Sequence, residues 1–157
     1  MNLTQLNSYI LEDIGFEKDF KDSFHCTIAY SKKPFDMVLP GGTIGTSEVD
    51  IHEKAVIKGF GNFDTPEGFN LHVVLESPFL VSEHKRCLKN GAVFDYDEYI
   101  PHITLMYNCI KDNKPIKVDN IPKLKKYIGS SVLINKELKS PLNENWVNES
   151  KKDNNVF

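Results

Sequence analysis

His25-Cys26-Thr27-Ile28-Ala29-Tyr30 and His102-Ile103-Thr104-Leu105-Met106-Tyr107 align without a gap. Each runs His, any residue, Thr, aliphatic, apolar, Tyr, and they stand about half the chain apart. Both are short, apolar and rich in β-branched or aromatic residues, which predicts a strand in each case, over Phe24 to Ser31 and Ile100 to Tyr107. Residues i and i+2 of a strand share a face. His25 therefore sides with Thr27 and His102 with Thr104. Tyr30 and Tyr107 have the opposite parity and read as structural. Were the two strands central and related by a pseudo-twofold, two imidazoles and two hydroxyls would converge on one cleft.

Outward from these segments, Thr4 is a candidate cap for a helix running to about Ile14, with Leu6, Tyr9, Ile10 and Ile14 in helical period and Gly15 at the stop. Pro34 to Ser47, with Pro40, Gly41, Gly42 and Gly45, reads as a loop. Val49 to Phe63 and Phe69 to Glu76 read as strands, the second alternating Leu71, Val73 and Leu75 against Asn70, His72 and Val74. Ser77 and Pro78 open a helix from about Leu80 to Asn90, closed by Gly91. A further strand lies near Ser130 to Leu138. Some strands follow one another directly while others are separated by helices, which predicts an α+β fold with a largely antiparallel sheet.

The 157 residues suit one domain with its own core. A net charge of −3 and a pI near 5.9 argue against a long nucleic acid as partner. Arg86 is the only arginine, so a phosphate site must rely on His, Lys, hydroxyls or backbone N–H groups and not on guanidinium forks. Three cysteines, Cys26, Cys87 and Cys109, show no metal-ligand spacing and fit reduced thiols in a cytoplasm. No apolar run approaches the roughly 20 residues of a membrane span, and the N-terminus lacks a signal-type stretch.

Two histidines and two threonines in one cleft suit phosphodiester chemistry. The histidines can serve as general acid and base because they titrate near neutrality. The hydroxyls can hold non-bridging oxygens as charge builds on them. The scheme needs no metal and no cofactor, and no carboxylate cluster accompanies either motif. One His-x-Thr is easily met by chance among five histidines; His52, His72 and His84 lack Thr or Ser at i+2. Two matches with the same apolar continuation are much harder to obtain accidentally.

The paired motif resembles the signature of the 2H phosphoesterase superfamily. That resemblance implies a single bilobal α+β domain over 1–157, with largely antiparallel sheets, helices outside, a pseudo-twofold, a central cleft and a tail from about residue 140. Within the superfamily, Phe24 to Ser31, Ile100 to Leu105 and Pro141-Leu142-Asn143-Glu144-Asn145-Trp146 look most like the phage anti-CBASS phosphodiesterases. A lysine- and asparagine-rich composition is also what AT-rich phage genes encode. The likeness implies metal-independent cleavage of 3′–5′ bonds in small cyclic di- or trinucleotides such as cGAMP, with His25, Thr27, His102 and Thr104 as catalytic residues. Two rivals stay open: a 2′,3′-cyclic phosphodiesterase of RNA ends, and a protein that sequesters cyclic nucleotides uncut.

Trp146 could stack on a base and Glu144 accept from an exocyclic amine, or Trp146 could simply pin the tail. Tyr9 is a third substrate-binding candidate that fits the core face of its helix equally well. Gly41 to Gly45 lacks the Gly-Lys-Ser/Thr of a phosphate loop. Gly59-Phe60-Gly61 suggests a bend or bulge. His84 reads as a satisfied packing histidine, and Lys123, Lys125 and Lys126 as a solvated face.

Overall fold

The computed structural model of the chain describes residues 2–16, 24–35, 48–65, 68–96 and 98–139. The alternating strand becomes β2 (Gly68–Glu76), paired antiparallel with β1 (Glu48–Thr65) so that Phe60 faces Val73 and Gly61 faces His72. Leu71, Val73 and Leu75 turn to the core, each at most 2% exposed. Asn70, His72 and Val74 therefore turn to the opposite face. β3 (His102–Met106) adds to the free edge of β2. β1 is 18 residues long and its register shifts twice, between Asp50 and Glu53 and between Ile57 and Gly59. The second shift is the bulge that Gly59-Phe60-Gly61 suggested, and such shifts bend a long strand.

Beyond β3 a short ribbon, β4 (Ile110–Lys111) and β5 (Lys114–Pro115), turns at Asp112 and Asn113, whose φ angles are 54° and 62°. Two left-handed residues in succession make the turn that suits hairpin twist. Turns of 3₁₀ helix over Val118–Asn120 and Pro122–Tyr127 then carry the chain to β6 (Ser131–Leu138) on the far side of β1. The sheet order is β3-β2-β1-β6 and every neighbouring pair is antiparallel.

α1 (Leu3–Asp13) and α2 (Pro78–Lys89) both contribute to the core cluster, through Leu6, Ile10 and Leu11 and through Leu80. Both helices thus cover the apolar face of the sheet, the arrangement that removes most apolar surface from water. Asn2, not Thr4, caps α1: its side-chain oxygen accepts the Gln5 N–H at 2.9 Å. Thr4 lies inside the first turn, where its carbonyl accepts from the Ser8 hydroxyl. Tyr9 falls outside the buried stripe of positions 6, 7, 10 and 11 and is 53% exposed, so it is not a core residue. Ser77 caps α2 through Leu80 N–H at 3.2 Å, and Gly91 follows its end with φ 106°.

Two further expectations need correction, on Phe24 to Ser31 and on Tyr107. Phe24 to Ser31 is not a ladder strand; a single bridge, Cys26 to Ile103, ties it to β3. Among the described residues there is one four-stranded sheet, with the first motif along its edge, and no second sheet of comparable size. Tyr107 lies one residue beyond β3 and is 60% exposed, so it is not a packing residue. The lysine-rich turn keeps its lysines exposed, as expected, and also holds the end of α1: Lys126 pairs with the Asp13 carboxylate at 2.7 Å, the Tyr127 hydroxyl donates to it at 3.2 Å and Lys123 donates to the Asp13 carbonyl at 3.2 Å. The loop Pro34 to Ser47 falls almost entirely, and the tail from about 140 wholly, outside the described residues.

One polar cluster joins α2 to β6. Arg86 grips Glu83 through Nε at 3.2 Å and through a terminal nitrogen at 2.5 Å. Glu137 of β6 lies buried against Glu83, and neither of its oxygens meets a donor among the described residues. Burial first, then the neighbouring Glu83, raises the Glu137 pKa from 4.5 to about 8. A proton between the two carboxyls supplies the missing donor.

A raised folded-state pKa gives stability that is fully present below pH 4.5 and lost as the pH climbs through about 8. Glu137→Gln should flatten that decline and stabilise the protein at pH 8 by about 1–2 kcal/mol. Urea unfolding from pH 5 to 8 measures this; parallel curves for the two proteins would count against a shared proton.

Candidate active site

The second motif is placed by the sheet. His102 faces Val74 and Thr104 faces His72 across the β2–β3 ladder. Ile103 is core, 1% exposed, so His102, Thr104 and His72 share the opposite face. The first motif is placed by its one bridge. Cys26 pairs antiparallel with Ile103, which sets His25 across from Thr104 and Thr27 across from His102. Cys26 packs against the core, so its neighbours His25 and Thr27 turn to the same side as His102 and Thr104. The structure thus brings all four residues together, with a local twofold through the Cys26–Ile103 bridge.

Side chains do the work of a ladder for the first motif. The Tyr99 hydroxyl donates to the Thr27 carbonyl at 2.7 Å. His84 of α2 meets the Ile28 carbonyl through Nδ1 at 2.8 Å, and a carbonyl only accepts, so Nδ1 carries the proton. The His84 ring also stacks on Tyr99, centroids 4.1 Å apart and 9° from parallel. His84 is a satisfied packing histidine, as the sequence suggests, and what it holds is the backbone of the first motif.

The same tautomer argument applies to His102. Its Nδ1 lies 2.8 Å from the Ile100 carbonyl and must donate. Nε2 is therefore the atom that carries the lone pair in the neutral ring and the second proton in the charged one. Burial lowers the His102 pKa, the Ile100 bond partly opposes this, and the charge of His25 lowers it further. His25 remains exposed at its surface, and partial burial lowers its pKa too. A proton on either ring thus disfavours a proton on the other, which suits a pair holding one proton between them.

A third histidine belongs to this site and the motif search missed it. His72 stacks on Phe63 of β1, centroids 4.0 Å apart and 17° from parallel, and meets the His102 ring edge-on at 5.4 Å. Phe63 itself touches His102 edge-on at 5.2 Å. Gly61 makes room: a Cβ there would sit 2.6 Å from His72 Nε2. The available signal was strand alternation, which sets His72 opposite the core face of β2, where β3 could bring the second motif.

Tyr9 lies exposed on α1. Trp146 and Glu144 lie outside the described residues. Among the described residues, no three His, Cys, Asp or Glu side chains are grouped to hold a metal ion, and no helix is long and apolar enough to cross a membrane.

Fold and site together define an α+β protein with two His-Thr pairs set side by side at the edge of an antiparallel sheet. The family model described as anti-CBASS protein Acb1 matches residues 4–149, and the chain belongs to that family. Relatives of that name include one from Salmonella phage S16, 29% identical over 134 residues, covering 83% of this chain and 74% of the relative. One from Enterobacteria phage T4 is 28% identical over 131 residues, with the same two coverages. One from Escherichia phage RB16 is 34% identical over 97 residues, covering 61% of this chain and 51% of the relative.

Proposed function

We propose that this protein is a metal-independent phosphodiesterase of the 2H type that opens 3′–5′ bonds in cyclic di- and trinucleotide immune signals, so that a phage evades CBASS defence in the host cytoplasm. The observation that carries this reading is the Cys26–Ile103 bridge, whose register sets His25 against Thr104 and Thr27 against His102. Family membership supports the anti-CBASS role.

In the proposed reaction a ribose 2′-oxygen attacks the adjacent phosphorus and the bond from phosphorus to the 5′-oxygen breaks. One histidine takes the 2′-hydroxyl proton and the other gives a proton to the departing 5′-oxygen. Thr27 and Thr104 donate to the non-bridging oxygens, where charge grows. The products are a 5′-hydroxyl and a 2′,3′-cyclic phosphate, and no electron changes hands.

The test is incubation with 3′,3′-cyclic GMP–AMP in excess EDTA, followed by chromatography and ³¹P NMR of the products, because the ring-opened 2′,3′-cyclic phosphate has the same mass as its substrate. Linearised nucleotide is the expected result. Cleavage only with added metal overturns the mechanism, preference for RNA with a cyclic terminus overturns the substrate, and intact ligand released on denaturation overturns the activity.

Both histidines titrate below the ordinary 6.5, so the kcat/KM profile should be bell-shaped with its maximum on the acid side of neutrality. A bound phosphodiester anion favours the charged imidazole, so the kcat profile should shift to higher pH than that of kcat/KM. Coincident profiles centred above pH 7 would contradict the assigned pair.

A further inference from the structure

We propose that His72 is a positioning residue which, with Phe63, wedges the imidazole of His102 into its working orientation. The proposal deepens the phosphodiesterase reading and rests on it. The bond from Nδ1 to the Ile100 carbonyl fixes one atom of the His102 ring, and a bond at one atom does not by itself set the tilt of the ring. Two flat groups set that tilt. The edge contact at 5.4 Å comes from His72 on β2, and the one at 5.2 Å from Phe63 on β1. The two braces are themselves clamped face to face at 4.0 Å. Gly61, with no side chain, lets the clamp sit directly on the strand.

His72 makes its contacts with Phe63 and His102 ring to ring. Nδ1 is buried with no hydrogen-bond partner among the described residues. A buried, unbonded polar atom costs stability where an apolar ring would not, so hydrogen bonding through Nδ1 does not explain how the ring is held. The ionisable groups around His102 are His25 and Cys26 from the first motif and His72 from β2; Phe63 from β1 brings no charge. Burial, then the charge of His102, pushes the His72 pKa down to about 4. Near neutral pH the His72 ring therefore carries no charge and braces His102 without opposing its proton.

The experiment compares His72→Ala, His72→Leu and His72→Phe. Turnover of 3′,3′-cyclic GMP–AMP is measured alongside NMR titration of the His102 ring nitrogens. Alanine removes the brace and admits water. The expected result is a fall in kcat of about 10–100-fold with KM changed less than about threefold. The His102 pKa should move up toward its ordinary value as burial is relieved. Leucine fills the space without a flat face, so kcat should fall in the same direction while burial, and with it the His102 titration, changes little; it covers the case in which alanine does not fold. Phenylalanine restores the flat ring and should return kcat to within about threefold of the parent and leave the titration in place.

Parent values of kcat in the alanine and leucine variants overturn the proposal, as does a parent His102 titration in alanine. So does a loss in His72→Phe equal to that in alanine, which would place the role in the nitrogen. If the parent protein cuts no cyclic nucleotide, that outcome strikes the proposed function, while the NMR titration still decides whether His72 governs His102.

Discussion

His102→Ala lowers turnover of 3′,3′-cyclic GMP–AMP by about 10²–10⁴-fold, the range that a positioned general acid or base supplies. The protein should stay folded, because His102 points away from the core that Ile103, Val73 and Leu71 fill. His25→Ala should cost a similar factor, since it stands in the matching place across the bridge. The informative case is the double variant. Two groups that share one proton-transfer event act as a unit, and removing the second adds little once the first is gone. The His25→Ala/His102→Ala protein should therefore be no slower than about tenfold below the poorer single variant. Activity measured beside unchanged circular dichroism decides it. Retained turnover in either single variant would show that the pair is not the acid–base couple.

The second large effect is expected at a residue far from any phosphorus. His84→Leu removes the donor to the Ile28 carbonyl and the ring stacked on Tyr99. A partly buried carbonyl left without its partner costs about 1 kcal/mol, the low end of the range for a fully buried one. The sheet does not depend on that bond, so the loss should fall mainly on the segment carrying His25 and Thr27. A displacement on the order of 1 Å in a reacting group can cost about 10²-fold, and kcat should drop by about 10–100-fold. Tyr99→Phe, which removes only the bond to the Thr27 carbonyl, should cost less, and the two losses should combine non-additively because both residues hold one segment. Full activity in both variants would mean that the single bridge to Ile103 suffices.

Much of the sheet was legible in the sequence because alternation is a strong signal. β2 shows it directly, and Ser77-Pro78 with Gly91 brackets α2 closely. What failed was partnership. Phe24 to Ser31 has the composition of a strand, but composition does not say whether a neighbour offers a ladder, and here it offers one bridge. The α1 start was set at Thr4, two residues late, because asparagine caps a helix as well as threonine and only the geometry shows that Asn2 reaches Gln5. The type of turn at Asp112-Asn113 went unread, although residues of this kind accept left-handed backbone readily. His72 was passed over because the search asked for Thr two residues on, a local criterion. Its place in the site depends on β3 arriving beside β2, a contact between segments about 30 residues apart that local periodicity cannot report.

The two-point grip of Glu83 on Arg86 has a consequence for competition in a crowded cell. A long polyanion is held by displacing condensed counterions, and its affinity falls steeply with salt in proportion to the phosphates neutralised. This chain carries one guanidinium and commits it to a carboxylate on its own helix. A small anion seated between imidazoles and hydroxyls displaces few ions, so its binding should change little as salt rises. Cellular RNA, which outnumbers any signalling nucleotide by mass, would then be a poor competitor for the same cleft.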